Sequence, residues 1–277
     1  MGKSKDLATG ETRFVNTAGD TMTGDLGIGV APAQPLHVFK AGSQGGGMAP
    51  LIKVQNDTNN LTGDGAGIEF HGKYQGGEWG FGKIGGTNAG GNFGGALEFH
   101  TNTGTGSVST GFTKKMTIDH NGAVTKPNQP CFIAYTNAGF NTTTATNTII
   151  RNLNGIHLNV GSHYITSGGT ASRFVAPITG RYFFGFQLLL SNVATSDDDI
   201  HAAFFKNGGQ NMYANTRYVG EGANGNLGYG GYLPIIGNTL IQLAANDYIE
   251  LNLFASGGPI GVHNSEGWSR FYGYLLG

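Results

Sequence analysis

"RFVAPITGRYFFGFQLLLSN", residues 173–192, gathers Phe174, Tyr182, Phe183, Phe184, Phe186 and three consecutive leucines in a chain otherwise dominated by glycine and small polar residues. Successive side chains of a strand point to opposite faces. At that period Tyr182, Phe184, Phe186, Leu188 and Leu190 share one wholly apolar face. The opposite face carries Phe183, Gly185, Gln187, Leu189 and Ser191, with two large apolar groups that a solvated face does not need. A strand that is apolar on one side and half apolar on the other calls for two partners, a facing sheet and a further layer beyond it.

Composition points the same way. The 277 residues include 50 glycines, 12% charged residues and 11% aromatics, which excludes both a helical protein and a disordered, highly charged one. Glycine disfavours a helix interior by about 1 kcal/mol per position, and no long stretch keeps a 3.6-residue apolar period, so the chain reads as all-β. No strict three-residue glycine repeat is present, which removes a collagen stalk. Sixteen basic against seventeen acidic residues leave a net charge of −1, and nucleic acid is not an expected partner. The single cysteine, Cys131, gives no disulfide framework within one chain and reads as a small buried hydrophobe. No run approaches the roughly 18 apolar residues of a membrane helix, and the start lacks an apolar leader. The expectation is a protein made in a cytoplasm and not exported by a cleaved signal, without membrane insertion.

Three textures follow one another. Residues 1–27 are polar, residues 28–126 are glycine-rich with short strands, and residues 130–277 carry longer apolar strands. Pro127 and Pro130 mark the connector, because each removes a ladder donor and holds its predecessor extended. In the middle part, "GIEFHGKY" (67–74) and "ALEFHTNT" (96–103) are near-repeats in which Glu/His pairs alternate with Ile, Leu and Phe. The glycine-rich "EWGFGKIGG" and "GGNFGG" between them read as turns and bulges. "MTIDHNGAV" (116–124) reads as a strand closed by an Asn121-Gly122 turn. In the last part, "IHAAFF" runs into Asn207-Gly208, a strong hairpin signal. "DYIELNLFA" alternates Ile249, Leu251 and Leu253 inward with Glu250 and Asn252 outward. The apolar end "RFYGYLLG" reads as a central strand.

"FVAPITGRYFFGFQLLLS", "IHAAFFKNG", "TLIQLAANDYIELNLFAS" and "WSRFYGYLLG" together resemble, in order and spacing, the jelly-roll head of the complement-q and tumour necrosis factor superfamily. The resemblance covers residues 130–277 and implies a ten-strand jelly roll in a compact homotrimer. The second apolar face of 182–190 would then be covered by neighbouring subunits or by a further strand layer. Tyr182, Phe184, Phe186, Leu188, Leu251 and Phe271 are the expected core and trimer-packing residues. "FVNTAGDTMTGDLGIG" is similar to a repeat of bacteriophage tail fibres, and "GIGVAPAQPLHV" with "MTIDHNGAV" resembles fibre shaft segments. The phrase occurs once, which implies a short fibre. Residues 1–27 would attach to other virion proteins, 28–126 would form a β shaft, and 130–277 the head. The implied location is the virion, the protein being made in the host cytoplasm.

Motifs with chemical meaning mostly take a plain reading. Gly80-x-Gly82-x-x-Gly85 matches a dinucleotide fingerprint in letters only, since no helix follows to hold a pyrophosphate. Glu69/His71 and Glu98/His100 read as polar strand positions rather than metal ligands, and Asp197-Asp198-Asp199 as a solvated loop rather than a calcium site. Neither a cofactor nor a metal is expected. No nucleophile elbow or Cys/His couple occurs, and the carboxylates are few and scattered. An enzyme is therefore not expected, a polysaccharide depolymerase being the least favoured alternative.

The most promising surface is 211–232, where Tyr213, Arg217, Tyr218, Tyr229 and Tyr232 alternate with Asn and Gly. Tyrosines on glycine-rich loops offer rigid amphipathic contact area. Packing of the same tyrosines inside a trimer is equally compatible with the pattern. "GPIGVHNSEGW" (258–268), with His263 and Trp268, is a second candidate. The function these residues suggest is attachment to a host-surface glycan or protein, the alternative being a non-adhesive virion component such as a decoration, neck or baseplate fibre.

Overall fold

The computed structural model describes residues 26–28, 36–38, 52, 54–55, 62–74, 77–90, 94–104, 111–138, 140–141, 147–193, 199–209, 212–218, 232–256, 259–264 and 266–277. These residues form strands and turns and contain no helix. The chain divides into two compact units, Met1–Thr113 with Asp119–Asn121, and Lys114–Ile118 with Gly122–Gly277.

In the first part, β1 (Leu26–Ile28) pairs in parallel with β2 (Leu36–Val38). β3 (Gly65–Tyr74), β4 (Gly77–Asn88) and β5 (Gly95–Asn102) follow as antiparallel neighbours. β4 corrects the reading of "EWGFGKIGG" as turns, because its glycines sit inside a twelve-residue strand. The cross-strand neighbours explain two of them: a Cβ on Gly82 would stand 3.0 Å from the His100 carbonyl oxygen and one on Gly85 3.3 Å from that of Ala66, both tight, whereas one on Gly86 would meet nothing within 4 Å. One bulge does occur, between Phe70 and His71. β6 (Phe112–Ile118) and β7 (Val124–Thr125), most of whose residues belong to the second unit, form a hairpin in which Gly122 takes a φ of 85°.

The second part comprises β8 (Cys131–Tyr135), β9 (Phe140–Asn141), β10 (Thr148–Ile149), β11 (Gly155–Val160), β12 (Tyr164–Ile165), β13 (Arg173–Val175) and β14 (Gly180–Ser191). It continues with β15 (Ile200–Lys206), β16 (Met212–Tyr218), β17 (Leu233–Leu243), β18 (Tyr248–Ala255), β19 (Gly261–Val262) and β20 (Arg270–Leu275). One sheet has the order β12-β13-β18-β15-β16, with β10 also on β18. The other runs β11-β8-β20-β14, with β17 on the far side of most of β14 and β19-β9 at its end. Of the eight main strands in chain order, the first, third, sixth and eighth (β8, β14, β17, β20) share one sheet, and the others (β13, β15, β16, β18) share the second. That alternation between layers defines a jelly-roll sandwich. β20 is central, as its apolar sequence predicted.

Between the layers lies one aromatic core. Phe132 stacks on Tyr164 at 4.5 Å and meets Phe271 edge-on at 4.8 Å, and Phe186 lies 5.2 Å from Phe204. Tyr182, Phe184, Phe186, Leu188, Leu251 and Phe271 are all fully buried here. Burying each such side chain contributes about 1.5–3 kcal/mol. Tyr182 keeps its hydroxyl satisfied by donating to the Ile178 carbonyl at 2.8 Å, and burial raises its pKa.

The outward side of β18 differs from a solvated face. Glu250 is 2% exposed and is held by Arg151 Nη1 at 2.5 Å and Arg173 Nη2 at 2.9 Å, while Arg173 lies 3.6 Å over the Tyr248 ring. Asn252 is also buried. The reason is position: β18 has β13 and β15 on either side, and Phe205 and Ala203, buried themselves, neighbour these residues on the same face.

Candidate functional site

Two surfaces of the sandwich stand out, a broad sheet face and one end. The face belongs to the sheet containing β14. Its register sets Leu240, Phe183, Tyr274, Cys131 and Val160 side by side across five strands. The next row is Asn238, Gly185, Tyr272, Ile133 and Leu158, and the one after holds Ile236, Gln187, Arg270 and Tyr135. All of these point away from the core. Leu240 is 64% exposed, Ile236 58%, Tyr274 42% and Leu158 40%. Phe183 packs on Tyr274 at 5.3 Å but stays half-buried. Contiguous apolar patches beyond a few hundred Å² mark interaction surfaces, and five strands are about 20–25 Å across.

Gly185 shows how the surface is kept flat. A Cβ there would lie 2.5 Å from the Tyr272 ring, so the glycine lets that ring lie across β14. Cys131, expected as a buried hydrophobe, is instead half-buried in this face, where partial desolvation raises its thiol pKa. Residues of β17 are the part missed in the sequence. The signal was present, since "LPIIGNTLIQL" places Ile236 and Leu240 on the opposite parity from the buried Ile235, Ile241 and Leu243.

The two ends of the sandwich are unlike. At the end where the chain enters, Leu275 N–H donates to the Pro130 carbonyl, and the connections are short: 161–163, 176–179, 207–211 and 244–247. The Asn207-Gly208 hairpin takes φ of 54° and 70°, the positive pair required by a two-residue turn whose twist matches its strands. Asp247 braces this end: it accepts from the Ala244 N–H at 2.8 Å and Asn207 Nδ2 at 2.7 Å and pairs with Lys206 at 2.8 Å, which holds its pKa down at about 2. From the opposite end emerge the connections 192–199, 219–232, 256–260 and 263–269, three of them longer than any at the entry end.

The candidate recognition residues distribute over these ends. Tyr218 and Arg217 pair with Ile200 and His201 near the long-loop end, on the edge strand β16. Tyr213 follows Met212, which pairs with Phe205 beside the hairpin, so the register separates it from Tyr218 along the strand. Tyr229 lies outside the described residues, as do Asp197 and Asp198. Trp268, 54% exposed, stands in the turn leading into β20 at the long-loop end. Near it in sequence, Glu266 pairs with His157 at 3.1 Å, and His157 packs on Tyr135 at 4.6 Å. Tyr232, 41% exposed, meets His263 edge-on at 5.5 Å. Residues 1–25 likewise lie outside the described residues.

Among the described residues no group of three or more His, Cys, Asp or Glu is arranged to hold a metal, and no helix is long and apolar enough to cross a membrane. Glu69 and His71 are instead paired with each other at 3.0 Å, and so are Glu98 and His100.

The strand order thus makes this part of the chain an all-β jelly-roll sandwich. Solved structures similar to the chain include the globular domain of a zebrafish complement 1qA protein (13% identity, 54% of this chain and 98% of that one, TM-score 0.35). Murine APRIL is similar too, in structures at pH 5.0 (12% identity, 53% and 99%, TM-score 0.38) and pH 8.5 (12%, 53% and 99%, 0.37). No protein-family model and no curated protein sequence matches the chain.

Proposed function

We propose that this chain is the subunit of a homotrimeric bacteriophage fibre whose jelly-roll head attaches the virion to a bacterial surface glycan or protein. The observation that carries the trimer is the uncovered apolar face around Phe183, Leu240, Ile236 and Tyr274. A face of that breadth is removed from water when copies of the chain pack on it, and a closed three-fold ring leaves no copy with an unpaired face. The phage assignment draws on the fibre-like phrase at residues 14–29 and the shaft-like segments after it.

Attachment is assigned to the long-loop end because it lies opposite the chain entry and carries Tyr218, Arg217 and the exposed Trp268. Three weak identical sites on one trimer, and several fibres on one particle, combine into useful avidity. Residues 1–27 are assigned to docking on other virion proteins.

Two measurements test this reading. Sedimentation of the full chain at micromolar concentration is expected to give three times the chain mass of 28.9 kDa, and a monomer would exclude the fibre. Labelled protein is expected to bind cells of a susceptible strain, with binding reduced at least tenfold in a Tyr218→Ala, Trp268→Ala double variant. A trimer that binds no cells at any density would leave a structural, non-adhesive virion role in its place.

A further inference from the structure

The β3–β4–β5 sheet has an unusual inversion. Its register forms three rows on one face, Ala66–Gly86–Leu97, Ile68–Ile84–Phe99 and Phe70–Gly82–Thr101. These nine positions carry no charge. The Phe81 ring extends the face by lying against Gly72. Yet Ile68 and Phe70 are each 51% exposed, Phe81 57% and Leu97 40%. The reverse face holds Glu69, His71, Lys83, Glu98 and His100, and there the Glu98 and His100 side chains are only 14% and 15% exposed. Around Glu98 and His100, though not at Glu69 with its 42% exposure, the polar side is thus the better covered one, the opposite of what water selects. Among the described residues of 62–128 no large apolar side chain belongs to the buried core, and a sheet with an apolar face buries it against another element.

We infer that this apolar face is a second self-association surface, packing in the assembled fibre against the same face of the other copies. The inference rests on the three-copy assembly proposed above. Identical copies are the occupant for two reasons. The face offers no charge or buried donor by which to select a polar ligand, only an apolar surface that another such surface matches. The chain passes from the first unit to the second at Thr113–Lys114, so assembly of the heads raises the local concentration of these sheets.

Cysteine cross-linking in the full chain tests it. Ile84→Cys is placed on the apolar face and Glu69→Cys on the reverse, Cys131 is kept in both, and wild type sets the background. With a short bismaleimide at sub-micromolar protein, Ile84→Cys is expected to yield covalent dimers at least tenfold above Glu69→Cys. Leu97→Cys, in the neighbouring strand, carries the same expectation where Ile84→Cys does not fold. A species of trimer mass in which neither apolar-face cysteine couples more than Glu69→Cys overturns this inference and leaves the fibre reading standing. A monomer in sedimentation overturns both.

Discussion

The jelly-roll sandwich and the β3–β4–β5 sheet are both antiparallel and both carry strands with alternating apolar residues, yet they reach opposite results. In the sandwich the inner faces of two layers meet, so Tyr182, Phe184, Phe186 and Phe271 vanish from solvent within one chain. In the sheet, Ile68 and Phe70 keep half their surface open. The lesson is that alternation makes a sheet with one apolar face, whereas a core needs a second layer to face it. The sandwich supplies that layer internally and still has an apolar face to spare on its other side.

Substitutions ordered by effect sharpen that contrast. Phe186→Asp places a carboxylate in the closed core beside Phe204, with an expected cost of about 5 kcal/mol. The sandwich then loses its cooperative thermal transition. Glu250→Ala leaves Arg151 and Arg173 facing each other without their shared carboxylate. About 3 kcal/mol is the expected loss, read by denaturant titration, and a change below half of that would mean that the two arginines relax into solvent.

Acid probes the short-turn end. The Lys206 and Asn207 partners hold Asp247 at about 2, below its ordinary 3.8. A depressed carboxyl pKa contributes stability that is fully present above pH 4 and is lost as the pH falls toward 2. Asp247→Asn is expected to flatten that part of the stability profile while lowering its neutral-pH plateau. Smaller again for the fold is Leu240→Asp, whose side chain is 64% exposed. It should shift the stability of the isolated fold by no more than about 0.5 kcal/mol, while sedimentation shifts from trimer to monomer. Trp268→Ala should change neither melting nor mass and should weaken cell binding alone.

Much of the sandwich was readable from particular residues. Tyr182 to Leu190 at period two, the Asn207-Gly208 turn and the apolar end at Phe271 to Leu275 each carry a local signal, and each sits where that signal placed it. The surroundings of Glu250 and Asn252 were not readable, because their burial comes from Ala203 and Phe205 on the neighbouring strand and from Arg151, 99 positions away in the chain. The long strand β4 was misread for a similar reason. Glycines signal turns when taken alone, but here Gly82 and Gly85 answer to the close approach of a partner strand. As for the candidate site, composition pointed to Tyr213 and Tyr218 together, and pairing along β16 then assigned them to different ends.

Composition and two-residue periodicity were enough to establish an all-β chain, its strand-rich final half and the apolar inner face of β14, since each is a property of neighbours in sequence. Which faces become interior, which become a broad open surface, and which loops gather at one end depended on how distant strands pair into two layers. Those outcomes are sums over non-local contacts, and a single strand carries no record of the partner across from it.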